Sequence, residues 1–209
     1  MPLIGRFAWT GGSGGVNLYL GNERGADGIV PRQDVPVTYG ARYRDSVQVF
    51  AEQVYRVAIF GDGPQPARVA PSDVSRYWTG RALEEIVADP ARWLGLMTRK
   101  AAFLLGNREL PNNRSFAFAL ADDAPWLGAL LVRWWLLLAL AGAGVYALHH
   151  AARRDRGAWR AAAGPLVLIA LHAAGVLLFF VNARYRLPLW PALAALAGVG
   201  LIPHVRRDA

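Results

Sequence analysis

The sequence contains no cysteine and a single lysine, Lys100. The first absence excludes disulfides and thiolate metal sites without choosing a compartment. The second leaves arginine to supply the rest of the basic residues. The formal charge of +8 and the pI near 10.6 therefore reflect a compositional habit, shared with the many alanines, and not a nucleic-acid footprint. Catalytic signatures are missing too. Gly11–Asn22, GGSGGVNLYLGN, is glycine-rich, but it has no Gly-Lys-Ser/Thr ending and no glycines spaced between a strand and a helix, so it cradles no nucleotide phosphate. No Gly-x-Ser-x-Gly elbow occurs. The four histidines, His149, His150, His172 and His204, lie in or beside apolar runs, away from Ser13, Ser46, Ser72, Ser75 and Ser115. A soluble serine hydrolase is disfavoured on that ground. His149 and His150 are adjacent and lack a spaced partner, so no zinc site is expected. Met1–Trp9 has neither the basic nor the apolar region of a signal peptide.

What is present falls into two parts. The overall hydrophobic share of 54% among 209 residues averages a mixed, polar region over 1–125 with a membrane-like region over 126–209. In the first region, Gly11–Asn22 reads as a flexible loop leading into one strand and a turn. Gly25–Pro36 continues as loop. Val47, Phe50, Val54, Val57 and Ala58 recur at three- and four-residue intervals, which predicts an amphipathic helix over Ala41–Ile59. Ser72 is placed to cap a second helix, Asp73–Val87, with an acid in its first turn. Asp89 before Pro90 starts a third, Pro90–Leu105, and Gly106 is placed to end it. That helix carries Trp93, Leu94, Leu96, Met97, Phe103 and Leu104 beside Arg92, Arg99 and Lys100. The mixture fits a helix lying on a membrane surface or the core helix of a soluble domain. Asn107–Pro125 is turn-rich and connects the two regions.

Three apolar runs follow, near 126–148, 161–181 and 187–203. Each is read as a transmembrane helix, the third being the shortest against the roughly 30 Å of hydrocarbon to be crossed. The expected fold class is thus mainly α and membrane-embedded, an external helical and irregular region followed by about three spans. Arg133 lies near the start of the first span, where it can snorkel. His172 lies within the second, either as a functional ionisable group or as a hydrogen-bonded structural one. Between the first two spans, Arg153, Arg154, Arg156 and Arg160 face the single acid Asp155, and the tail holds Arg206 and Arg207. The positive-inside rule makes both segments cytoplasmic and puts 1–125 and the hairpin at Arg184–Arg186 outside, in a bacterial inner membrane. An external leading region without an export signal predicts that the chain is the C-terminal piece of a longer membrane protein.

The hairpin is the most pointed feature. In Phe179–Pro188, FFVNARYRLP, an apolar run stops at two arginines flanking a tyrosine. Guanidinium groups match phosphate oxygens bidentately, and a tyrosine ring favours the headgroup layer. Arg184 and Arg186 are therefore candidate ligands of a lipid phosphate, with Tyr185 packing at the interface. The alternative is that the two arginines only anchor helix ends.

Four stretches together resemble the C-terminal half of bacterial membrane glycosyltransferases. They are VNLYLGN at Val16–Asn22, PSDVSRYWTGRALEEIVADPARW at Pro71–Trp93, ELPNN at Glu109–Asn113 and FFVNARYRLPLWP at Phe179–Pro191. The group is similar to the protein mannosyltransferase and aminoarabinose transferase enzymes, with the type C glycosyltransferase fold. The resemblance implies a multi-span helical protein that takes a sugar from a polyprenyl-phosphate carrier and passes it to a lipid-linked or protein acceptor on the outer face. It implies carrier-phosphate contacts at Arg184 and Arg186. It also matches Asn17, Tyr19 and Asn22 to an outer loop, which they build or through which they face the acceptor. The group's catalytic carboxylate lies upstream of the part resembled. None of Asp27, Asp34, Asp45, Asp62 or Asp73 is accordingly expected to act as general base; they read as solvated or capping acids. No resident cofactor follows from the resemblance, and it leaves the metal requirement open. A reading from a different class also stands: a non-catalytic external binding module on a membrane anchor.

Overall fold

A computed structural model describes residues 13–29, 43–106, 133–153 and 157–201. The protein is mainly α-helical, and no strand occurs among the described residues. The helices are α1 (Gly14–Asn22), α2 (Tyr43–Phe60), α3 (Pro71–Ala88), α4 (Pro90–Leu105), α5 (Trp134–Ala152), α6 (Gly157–Leu178) and α7 (Trp190–Leu201), with a 3-10 segment at Ala183–Leu189 before α7. The chain divides into two compact units. The first draws on Met1–Thr98 and Leu178–Phe180, the second on Arg99–Leu177 and Val181–Ala209.

In the first unit, the strand and turn expected within Gly11–Asn22 are replaced by helix α1. Its glycines serve close packing. A Cβ on Gly15 would come within 1.8 Å of the Ser75 carbonyl oxygen on α3, and one on Gly21 within 2.1 Å of the Phe179 carbonyl oxygen. Ser75 Oγ accepts a hydrogen bond from the Gly15 amide at 2.9 Å, satisfying one of the donors that a helix N-terminus leaves open. Helix α1 lies along α3, and α2 also packs on α3. Val16, Val47, Ala51, Val74 and Trp78 form the buried centre of this unit, each valine contributing about 1.5–3 kcal/mol through burial. The Trp78 indole N–H donates to the Ala51 carbonyl at 3.1 Å, which ties α3 to α2.

The helix expected over Ala41–Ile59 is observed as α2, one residue longer at its C-terminal end. The next helix starts earlier than expected. Ala70, not Ser72, is its N-cap, and Pro71 occupies the first turn without a side-chain cap. Proline suits that position because its missing N–H would have had no partner there. Helix α4 has the expected ends, and Asp89 Oδ1 accepts from the Arg92 amide at 2.9 Å, as an N-cap does. Of the acids named above as solvated or capping, three have described side chains, and that of Asp45 lies outside them. Asp27 Oδ1 accepts from the Ile29 amide, Asp73 pairs with Arg76 at 3.7 Å, and Asp62 is exposed.

In the second unit, α5 packs along α7. Small buried residues, Ala141 and Gly144 on α5 with Ala192 and Ala197 on α7, allow close approach of the two backbones. Leu137, Leu193 and Leu196 are buried with them. Among the described residues, the apolar runs do not give three helices of spanning length: Trp134–Ala152 is long and apolar enough to cross a membrane, and Ala162–Leu178 is a shorter apolar helix. The first expected span is displaced toward the C-terminus, beginning at Trp134 with Arg133 as its N-cap. The third is shortened. Pro188 and Pro191 each lack an N–H, residues 183–189 take the tighter 3-10 form, and α7 keeps 12 residues, about 18 Å of helix. Asp34, Glu109–Asn113, Arg154–Arg156 and Arg206–Arg207 lie outside the described residues, as does the whole connection at 107–125.

Candidate functional site

The arginine hairpin is built from a turn that caps itself. After α6 ends, Val181 and Asn182 are buried, and Asn182 Oδ1 accepts from the Tyr185 amide at 3.2 Å. This bond closes the 3-10 segment and sends its two arginines in different directions. Arg184 is exposed. Arg186 is only 6% exposed; its Nη2 donates to the Phe103 carbonyl and its guanidinium lies 5.6 Å from the centre of the Trp134 ring. Burial lowers the pKa of Arg186, yet a guanidinium keeps its proton in proteins. Trp134 in turn donates from its indole N–H to the Leu104 carbonyl at 3.1 Å.

Phe103 and Leu104 belong to the last turn of α4, where carbonyls have no partner within the helix. Arg186 and Trp134 therefore close the C-terminus of α4, and a cation there also complements the helix dipole. Among the described residues, buried Arg186 Nε has no hydrogen-bond partner. Tyr185 is half-buried, and its carbonyl accepts from His172 Nε2 at 2.8 Å. The histidine thus has the hydrogen-bonded, structural position that was one of its two readings, and it helps to hold the turn that presents Arg184.

A second set of candidates lies in the first unit. Asn17 and Tyr19 are half-buried on α1, a helix where an outer loop was expected. Asn22 is fully buried. Its Nδ2 donates to the Leu18 carbonyl at 2.8 Å and to the Leu178 carbonyl at 2.7 Å, while its Oδ1 accepts from the Trp93 indole N–H at 3.0 Å. An acceptor molecule has no access to a side chain so placed. Tyr19 is different: its ring meets that of Trp78 at 4.7 Å, tilted by 54°. Burial, then the nearby carboxylates of Glu23 and Glu85, raise its phenol above the usual range, so it remains a neutral hydrogen-bonding group.

Two further basic residues, read from the sequence only as part of the mixed face of α4, bind helix ends. Arg92 donates to the carbonyls of Glu23 at 2.9 Å and Asn22 at 3.0 Å, closing the C-terminus of α1. Lys100 is fully buried and donates to the Leu177 carbonyl in the last turn of α6 at 3.0 Å. Neither one presents its charge to a headgroup layer, whereas Arg99 on the same helix is exposed. The sequence signal was faint: Lys100 is the one lysine in a chain that otherwise uses arginine. Among the described residues, no group of three metal-ligating side chains is assembled.

Comparison of the chain with protein-family models, with curated proteins and with solved structures finds no match.

Proposed function

We propose that this chain supplies the carrier-phosphate-binding part of an integral-membrane glycosyltransferase. The enzyme moves a sugar from a polyprenyl-phosphate carrier to a lipid-linked or protein acceptor on the outer face of a bacterial inner membrane. The observation that carries this reading is the presentation of Arg184. It is the exposed guanidinium of a turn held by Asn182 and by buried Arg186, immediately before the apolar helix α7. The backbone beneath this guanidinium is already ordered, and a guanidinium and a phosphate form strong, bidentate hydrogen bonds. In this reading Arg186 holds the turn and Tyr185 packs at its side. On the same reading α5 crosses the membrane, and α6 and the shorter α7 belong to the membrane-embedded part of the type C fold. The carrier phosphate lies at the outer surface, the Arg153 end of α5 faces the cytoplasm, and no catalytic base is assigned within the chain.

Purified chain in lipid nanodiscs, titrated with a polyprenyl monophosphate, tests the reading. Hydrogen bonds to charged groups contribute about 1.5–3 kcal/mol, so Arg184→Ala should weaken binding roughly ten- to a hundredfold. Arg184→Lys, which keeps charge without the planar fork, should fall between. Neither change should lower the unfolding temperature appreciably, because an exposed side chain is altered. Arg186→Ala should lower it, since the Phe103 carbonyl and the Trp134 ring both lose their cation. Equal affinity for wild type and Arg184→Ala would sink the proposal.

A further inference from the structure

The C-terminal end of α5 gathers polar side chains on an otherwise apolar helix. Tyr146 is 67% exposed, and its ring meets that of His150 at 4.4 Å, tilted by 58°. His149 meets His150 edge-on at 5.9 Å. Both histidines are exposed, as are Arg153 at the end of α5 and Arg160 in the first turn of α6. Three residues separate Arg153 from Gly157, where α6 begins, so the two Cα atoms are at most about 15 Å apart. Arg160 therefore belongs to the same end of the second unit. Neither α5 nor α6 contains a carboxylate, and Asp155 is the single acid beside Arg153, Arg154, Arg156 and Arg160. Whichever of these Asp155 pairs with, arginine stays in excess.

A net positive patch selects an anion, and its place narrows the class. Among the described residues, α5 is long and apolar enough to cross a membrane, and an exposed tyrosine near the end of such a helix suits the boundary layer, its ring against hydrocarbon and its hydroxyl among headgroups. A ligand that meets both conditions has a phosphate and acyl chains. A soluble anion or a nucleic acid would make no use of the apolar surface beside the arginines. A zwitterionic lipid also carries a phosphate, but its ammonium would face the excess of positive charge. The guanidinium groups of Arg153 and Arg160 form charge-assisted hydrogen bonds with phosphate oxygens, and His149 and His150 each carry an imidazole N–H donor in either protonation state. We propose that this end of α5, with the first turn of α6, is a binding site for an anionic phospholipid of the surrounding leaflet. The site rests on α5 crossing the membrane and not on the carrier-phosphate reading of Arg184, with which it shares no residue.

The test reconstitutes the full chain in phosphatidylcholine nanodiscs, to which spin-labelled phosphatidylglycerol or spin-labelled phosphatidylcholine is added. Electron spin resonance separates lipid held at the protein surface from mobile lipid. Phosphatidylglycerol should be held about fivefold more strongly than phosphatidylcholine, the effect of roughly one arginine near an anionic surface. The preference should weaken as salt is raised, because the patch is open to water. Arg153→Gln combined with Arg160→Gln removes two exposed cations and should bring the preference to about twofold or less. Circular dichroism checks that the helices persist. Equal holding of both lipids by the wild-type chain overturns the proposal and leaves α5 in the membrane. So does a preference that survives the double substitution, or one that is lost on Arg184→Ala instead. A chain that does not enter nanodiscs and holds neither lipid overturns the membrane reading along with it.

Discussion

The ammonium of Lys100 donates to the carbonyl of Leu177 at 3.0 Å while the side chain is wholly shielded from solvent. Among the described residues, Arg92 at α1 and Arg186 at α4 are likewise spent on helix C-termini. A positive group is well suited to that place, where open carbonyls and the negative end of the helix dipole coincide. The arrangement divides the positive charge of the chain into buried structural cations and exposed ones such as Arg184. Only the exposed ones are free to meet a ligand.

Burial holds the Lys100 ammonium down at about 8, against 10.5 for an ordinary lysine. Between these values the unfolded chain binds more protons than the folded one, so stability must rise with pH across that window. The charged form penalises the fold below pH 8, and the penalty is relieved as the medium approaches pH 10.5. The full change is about 3 kcal/mol. Lys100→Met fills the same space without a titrating group. Denaturant unfolding at several pH values should therefore give a stability difference, wild type minus Lys100→Met, that climbs between pH 8 and 10.5. A flat difference would place the ammonium in contact with water.

Close backbone approach at α1 predicts a contrast among glycines. Gly15→Ala and Gly21→Ala would drive a methyl group into the carbonyls of Ser75 and Phe179, and overpacking of this kind costs about 1–3 kcal/mol. Gly142, inside α5, has nothing within 4 Å of the place an added methyl group would take. Gly142→Ala should instead gain up to about 1 kcal/mol through helix propensity. Thermal unfolding of the three variants, followed by circular dichroism, measures the contrast. Equal, near-neutral effects at all three positions would mean that α1 does not rest on α3 as described.

The proposed topology is open to chemical labelling, helped by the absence of native cysteine. Leu187→Cys replaces a residue that is 62% exposed, beside the arginine turn, and Arg153→Cys replaces an exposed residue at the end of α5. In intact bacterial cells, a membrane-impermeant maleimide should modify the first. The second should react only after permeabilisation, in keeping with the excess of arginine around it. Reaction of Arg153→Cys from outside would reverse the orientation.

The helical class, the existence of α2 and the bounds of α4 were legible in the sequence, because they follow from patterns within a single segment. Apolar residues spaced by one helical turn, Asp89 ahead of Pro90 and Gly106 after Leu105 need no knowledge of what lies elsewhere. Local pattern also singled out the turn at Arg184–Arg186, but not the division of labour inside it. Packing between distant segments settles that Arg186 turns inward to a carbonyl 83 positions away, and that Lys100 and Arg92 reach carbonyls 77 and 69 positions away. It also settles that the glycines of Gly14–Asn22 make a helix where glycine propensity argues for a loop. The cost of glycine in a helix is about 1 kcal/mol, and here it is offset by the contact that only a residue without a Cβ permits at Ser75 and Phe179. Helix ends and close contacts are fixed by whichever partner packing brings within reach, and that partner leaves no mark in the neighbouring sequence.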